Sequence, residues 1–173
     1  DTAARSLALL NAQTKEEAAR LAGDLTALNQ SRKALTEKGK EEAIRIIETT
    51  ELKNDRVLVV YLPDCHESLA GIIAGRIREK YHRPAFVLTG GETSAKGSGR
   101  SIESYSMYEE LVKCADLMIQ FGGHPMAAGL SIEEKNIEEF RRRLNVNCTL
   151  TDEELRPKIV IDVPMPVSYI TKE

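Results

Sequence analysis

Val57-Leu58-Val59-Val60 is an unbroken aliphatic run with no position left for water. A half-exposed strand alternates apolar and polar residues, so a run of this kind needs cover on both faces, as strands inside an α/β sheet have. Pro63-Asp64 ends it. Ser68 to Tyr81 then carries Leu69, Ile73 and Ile77 at helical spacing, Pro84 breaks the chain, and Ala85 to Thr89 repeats the buried-strand pattern. Strand, helix and strand in that order predict a right-handed parallel βαβ unit. Within the helix, Ala70, Gly71, Ala74 and Gly75 are small enough for close approach to neighbouring backbone.

The rest of the chain fits around this unit. Ala95 to Ile102 reads as extended, and Ser106 with Glu109 predicts a capped helix running through Leu111 to Leu117. Gly122-Gly123-His124-Pro125 reads as a sharp loop, Met126 to Ile132 as a returning strand, and Ile137, Phe140 and Leu144 as the stripe of a further helix. After Pro157, Ile159-Val160-Ile161 starts another strand.

Ahead of the unit lies a helical arm. A short helix covers Ala3 to Leu10, and Thr14 and Glu17 form a capping box for a second. Ala18, Leu21, Leu25, Leu28, Arg32 and Leu35 make one thin stripe, continued by Ala43, Ile44 and Ile47. A helix over 15–49 is about 50 Å long, with Gly39 placed to weaken or bend it, and one thin stripe on such a length reads as a connector. The expected fold is α/β, a mixed sheet with a βαβ unit and flanking helices, preceded by a long connector helix. The expected division is a connector over 1–53, an α/β domain over 54–150 and the start of a further domain over 151–173. Both ends read as cuts through a longer protein.

Hydrophobic residues at 42% and charged residues at 29% are ordinary for a globular chain, and no apolar run approaches the roughly 20 residues that span a bilayer. Cys65, Cys114 and Cys148 are widely spaced, with no zinc pattern, and read as reduced thiols of a cytoplasmic protein. The net charge of −3 hides a local excess: Arg76, Arg78, Lys80, Arg83, Lys96 and Arg100 oppose only Glu79 and Glu92, so that window is +4 and the remainder −7. That is a local anion site on an acidic protein, or, for Arg76, Arg78 and Lys80, the solvated face of a helix.

Three clusters could carry chemistry. Lys96-Gly97-Ser98-Gly99-Arg100-Ser101 combines glycines that admit close backbone approach, hydroxyl donors and two cations; the combination suits a phosphate, and a solvated strand edge is the alternative. Gly122-Gly123-His124 presents a histidine able to hydrogen-bond a phosphate oxygen or assist proton transfer, or else to order its own turn. Asp64-Cys65-His66-Glu67 sits at the carboxyl end of the first strand, where open α/β sheets bind ligands. It lacks the convergent carboxylates and histidines of a two-metal cage, and His66 is read as facing a ligand or ordering the turn.

Taken in order, the stretch Cys65-His66-Glu67-Ser68-Leu69-Ala70-Gly71-Ile72-Ile73-Ala74-Gly75-Arg76, then Arg83-Pro84, Lys96 to Ile102, Phe121-Gly122-Gly123-His124 and Ala127-Ala128-Gly129 resembles the DHH-associated domain of RecJ exonucleases, within the DHH phosphoesterase superfamily. The amino-terminal helices resemble that family's connector, and the tail from Pro157 resembles the start of its oligonucleotide-binding barrel. Cys65 stands where the family usually has Trp, and Ser68-Leu69 where it often has Gly-Val.

The resemblance implies a 5′-to-3′ exonuclease on single-stranded DNA in repair and recombination. Manganese or magnesium would be held by aspartates and histidines of a DHH domain upstream of Asp1, with no metal bound by this chain. It assigns phosphate contacts to Ser98, Arg100 and Ser101, joined here by Lys96. It places Gly122, Gly123 and His124 on the catalytic cleft, with His124 as a residue that assists catalysis, and His66 is counted with these among the residues that contact nucleic acid. Its implied partners are single-stranded DNA and the protein's own catalytic domain, with no membrane. On this reading the chain alone grips DNA without cleaving it. The rivals are a relative that acts on very short oligoribonucleotides or small nucleotides, a non-enzymatic nucleic-acid module like that of alanyl-tRNA synthetases, and a purely structural domain.

Overall fold

The structure, a computed structural model, describes residues 2–159 and 161–170. Helix α1 (Thr2–Leu10) turns into α2 (Lys15–Thr49), whose first turn is held by Thr14: its hydroxyl accepts from the Glu17 N–H at 3.1 Å. Glu17 returns the bond to the Gln13 N–H, one residue before the cap itself. The middle of α2 is bare, with Leu28 and Leu35 exposed; it is buried at Leu21 near its start, where α1 packs, and through Ala43 and Ile47 near its end. The helix runs unbroken through Gly39. A Cβ there would lie 2.6 Å from Ile73 Cδ1, so this glycine marks where α2 meets the next long helix.

The α/β body begins with β1 (Leu58–Leu62), α3 (Glu67–Tyr81) and β2 (Ala85–Thr89), and the two strands pair in parallel as expected. Next come β3 (Ala95–Arg100), α4 (Met107–Val112), β4 (Met118–His124), β5 (Ala127–Ile132) and α5 (Ile137–Asn147). The sheet runs β1-β2-β3-β5-β4 and is antiparallel from β2 onward, hence mixed.

Each face of the sheet has its own core. Leu58, Val60 and Leu62 of β1, with Ala85 and Val87 of β2, pack under Leu69, Ile73 and Ile77 of α3 and Ala43 and Ile47 of α2. On the opposite face Val57, Val59, Phe86, Leu88, Leu130 and Ile132 meet Met107, Leu111, Phe140 and Leu144 of α4 and α5. Phe86 and Phe140 sit edge to face at 5.4 Å, the arrangement aromatic quadrupoles favour. Asn145 of α5 fastens the start of β1: its Oδ1 accepts from the Arg56 and Val57 N–H groups, and its Nδ2 donates to the Val57 carbonyl.

Three sequence expectations need correction. The glycines of Gly122-Gly123-His124 lie in strand β4, and the turn is the two-residue Pro125-Met126 connection between β4 and β5. Helix α4 stops at Val112, and a separate 3-10 turn covers Ala115–Leu117. The strand expected at 159–161 is not formed by Ile159 and Ile161, which are exposed; Val160 lies outside the described residues.

Candidate nucleic-acid interface

Helix α3 lies over β2 and β3, the end of α2 lies over β1, and the same face of β5 and β4 is left open. What stands on that face follows from register, because residues directly opposite in an antiparallel pair present their side chains on one side. Three rows run from beside α3 onto the open face: Lys96–Ser131–Gln120, Ser98–Gly129–Gly122 and Arg100–Ala127–His124. Four of the residues singled out from sequence, Lys96, Ser98, Arg100 and His124, thus share one face with Gly122. At strand spacing, Arg100 and His124 stand roughly 10 Å apart across β5.

The wall of this shelf is α3. A Cβ on Gly71 would fall 2.8 Å from the Arg100 Nη2 and 3.5 Å from the Ser98 Oγ, so Gly71 leaves the room in which the guanidinium lies against α3. Gly75, expected to serve the same close packing, faces open space. The Arg100 Nη1 donates to its own Gly99 carbonyl at 2.7 Å, and Arg100 has no carboxylate partner among the described residues. Lys96 is engaged: its ammonium lies 2.7 Å from Glu67, whose carboxyl is thereby held below its usual range, while Lys96 is pushed above its own. Between them lies a cleft of about 290 Å³, lined also by Ser68, Ala70, Gly97 and Ser98.

The glycines of β3 serve a different end from the one expected. Gly97 and Gly99 point to the opposite face, where a Cβ on Gly99 would lie 2.6 Å from the Phe86 ring and also strike Met107. They are demanded by the core beneath the shelf, not by a ligand above it. Gly122 and Gly129 are the reverse case, exposed on the shelf with room for a Cβ. Gly123 adopts φ +150, and a Cβ there would lie 2.6 Å from the Ala128 Cα.

Ser101 is buried; its hydroxyl donates to the Tyr105 carbonyl at 2.6 Å and its N–H to the Met126 carbonyl at 2.9 Å. With the Met107 N–H donating to the Pro125 carbonyl, these bonds tie the end of β3 to the hairpin that carries His124. His124 is exposed, and its Nδ1 accepts from the Met126 N–H at 3.3 Å. A neutral ring so placed carries its hydrogen on Nε2, a donor. His66 caps α3: its Nδ1 accepts from the Ser68 N–H at 3.2 Å and lies 2.8 Å from the Ser68 Oγ. It orders the turn.

Of the remaining cations in the basic window, Arg76 pairs with Glu79 at 3.1 Å, Lys80 lies over the Tyr81 ring, and Arg83 donates to the carbonyls of Lys53 and Asp55. Among the described residues no group of three or more His, Cys, Asp or Glu could hold a metal ion. Nor, among them, is any helix long and apolar enough to cross a membrane. Sequence reasoning named Gly71 for close packing and Gly129 within the family pattern, but did not place either at the site, and it missed Ser131 and Gln120. Gly129, Ser131 and Gln120 are placed on the shelf by pairing β4 with β5 through a two-residue turn.

Comparison with known proteins identifies the family of the domain. The DHHA1 domain family matches residues 54–149. The single-stranded-DNA-specific exonuclease RecJ of Salmonella typhimurium is 37% identical over 96% of this chain, and that of Bacillus subtilis 36% identical over 95%. The chain spans only 31% and 21% of those relatives. The crystal structure of RecJ in complex with Mg2+ from Thermus thermophilus superimposes with a TM-score of 0.74 at 32% identity, covering 83% of this chain and 22% of that one. A Mn2+ complex of the same Thermus thermophilus protein matches at 0.73; among the described residues of this chain no cluster fits such an ion. The chain belongs to the DHHA1 domain family, in the form found within RecJ.

Proposed function

We propose that this domain holds the end of a DNA single strand for a 5′-to-3′ exonuclease acting in DNA repair and recombination. The observation that carries the reading is the Arg100–Ala127–His124 row: an arginine with no acidic partner among the described residues and an imidazole Nε2–H donor share the open face of a sheet backed by a rigid core. Arg100 forks onto a terminal phosphate, Ser98 and Lys96 contact the remaining oxygens of that same phosphate, and His124 donates to an oxygen two strands away. Gly122 and Gly129 leave the floor flat enough for sugar and base to lie against it. Gly123 sets the curve of β4, and Ser101 positions the hairpin from below. His66 supports the wall by fixing the start of α3.

The chemistry itself belongs elsewhere in the protein. The long helix α2 leads to a catalytic domain that binds the metal ions, and residues 151–173 begin a further DNA-binding domain. This chain contributes positioning: it restrains the strand so that its scissile bond is presented to that domain. By itself it binds without cleaving.

The test is fluorescence anisotropy with short single strands, 5′-phosphorylated or 5′-hydroxyl, and with duplex. The expected result is preference for the phosphorylated single strand, reduced roughly ten-fold or more in Arg100→Ala through loss of a charge-assisted contact. Equal binding of all three DNAs, indifferent to Arg100→Ala, would refute the reading.

A further inference from the structure

The two cations of β3 that face α3 are in different states. Arg100 has no carboxylate partner among the described residues, while Lys96 is closed onto Glu67, the first residue of α3, and both line the cleft. Both partners are about half exposed, at 55% and 51%, so the pair is held by a contact that water and salt weaken readily. It is therefore a contact that a ligand can open. Any phosphate that reaches for Lys96 must displace a carboxylate already bonded to it, and meets that carboxylate's negative charge on approach.

We propose that Glu67 is a specificity-determining residue: it latches Lys96 so that only a strand end bearing a terminal phosphate opens the cleft. A terminal phosphomonoester carries close to two negative charges at neutral pH and three acceptor oxygens, whereas an internal phosphodiester carries one charge. The dianion competes for the ammonium on better terms than the monoanion does. Arg100, with no such latch, engages either. The selection thus falls on the chemistry of the strand end, and this inference rests on the placement of the phosphate site at Ser98 and Arg100.

The experiment uses Glu67→Gln, which keeps the size of the side chain and removes its charge. Affinity for the 5′-hydroxyl strand is expected to rise roughly two- to five-fold, the scale on which exposed ion pairs act, and the preference for the 5′-phosphorylated strand to shrink by the same factor. Because Lys96 then neutralises a phosphate without first losing a partner, the salt dependence of log affinity steepens by about 0.7. In a Lys96→Gln background the same substitution leaves the phosphate preference unchanged, which separates a latch from simple repulsion. An unchanged or larger preference in Glu67→Gln overturns the proposal. Loss of the phosphate preference in Arg100→Ala with no effect of Glu67→Gln removes the latch alone. Full retention of binding in Arg100→Ala removes the underlying site.

Discussion

Two glycines one strand apart, Gly99 on β3 and Gly129 on β5, are predicted to respond to the same substitution with opposite signs. At Gly99 an added Cβ falls 2.6 Å from the Phe86 ring and strikes Met107, both fully buried. Neither can withdraw, because Phe86 is braced edge to face on Phe140. Overpacking of this kind destabilises by about 1–3 kcal/mol. At Gly129 the nearest atom to an added Cβ is the Gly97 carbonyl oxygen at 3.8 Å, an ordinary contact, and the backbone is not in the left-handed region. Gly129→Ala should therefore stabilise by about 0.4–1 kcal/mol, through reduced freedom of the unfolded chain. At about 2–4 °C per kcal/mol for a chain of this size, Gly99→Ala should melt roughly 2–12 °C lower and Gly129→Ala roughly 1–4 °C higher. Calorimetry measures both. Single-strand binding by the more stable Gly129→Ala should nevertheless weaken several-fold, since its methyl group stands on the floor of the shelf. A Gly129→Ala protein that melts lower, or binds as well as the parent, would refute the reasoning.

Asn145→Ala should lower stability by about 2–3 kcal/mol, because it orphans the Arg56 and Val57 N–H groups and the Val57 carbonyl at the start of β1; urea denaturation with an unchanged slope is the check. Hydrogen bonds from Arg142 and Arg143 hold the Glu139 carboxyl down to about 2. Its folded value lies below its unfolded one, so its stabilising contribution is fully present above about 4.5 and is lost as pH falls toward 2. An NMR titration should find Glu139 still ionised at pH 3, and protonation near 4.5 would contradict the pairing.

The parts of the fold that were legible in the sequence are those where one periodicity dominates. Strand β2 has the limits expected, Ala85–Thr89, because every one of its residues is buried and none offers an alternative. Helix α2 likewise runs from Lys15 to Thr49, with Thr14 as its cap. Strand β4 was not legible. Gly122, Gly123 and His124 are turn residues by composition, and they are admitted to a strand here because β4 is an edge with one open face. The same misreading hid how the site is assembled: once β4 pairs with β5 through Pro125-Met126, register alone brings His124 level with Arg100. Composition likewise gave Ser98 and Ser101 one reading. Alternation along β3 places Ser98 on the shelf, while Ser101, just past the strand, turns its hydroxyl inward to the Tyr105 carbonyl. Six cations close in sequence were also not one patch, since Arg76, Lys96 and Arg83 are each engaged by the protein itself.

Amide chemical-shift mapping of the chain with a 5′-phosphorylated single strand tests the shelf most directly. The expected perturbations fall on Ser98, Arg100, Gly122, His124 and Gly129, one face of three neighbouring strands, with Gly71 on the wall above them. Perturbations gathered instead on Arg76, Arg78 and Lys80 of α3, with the β3–β5–β4 face silent, would contradict it.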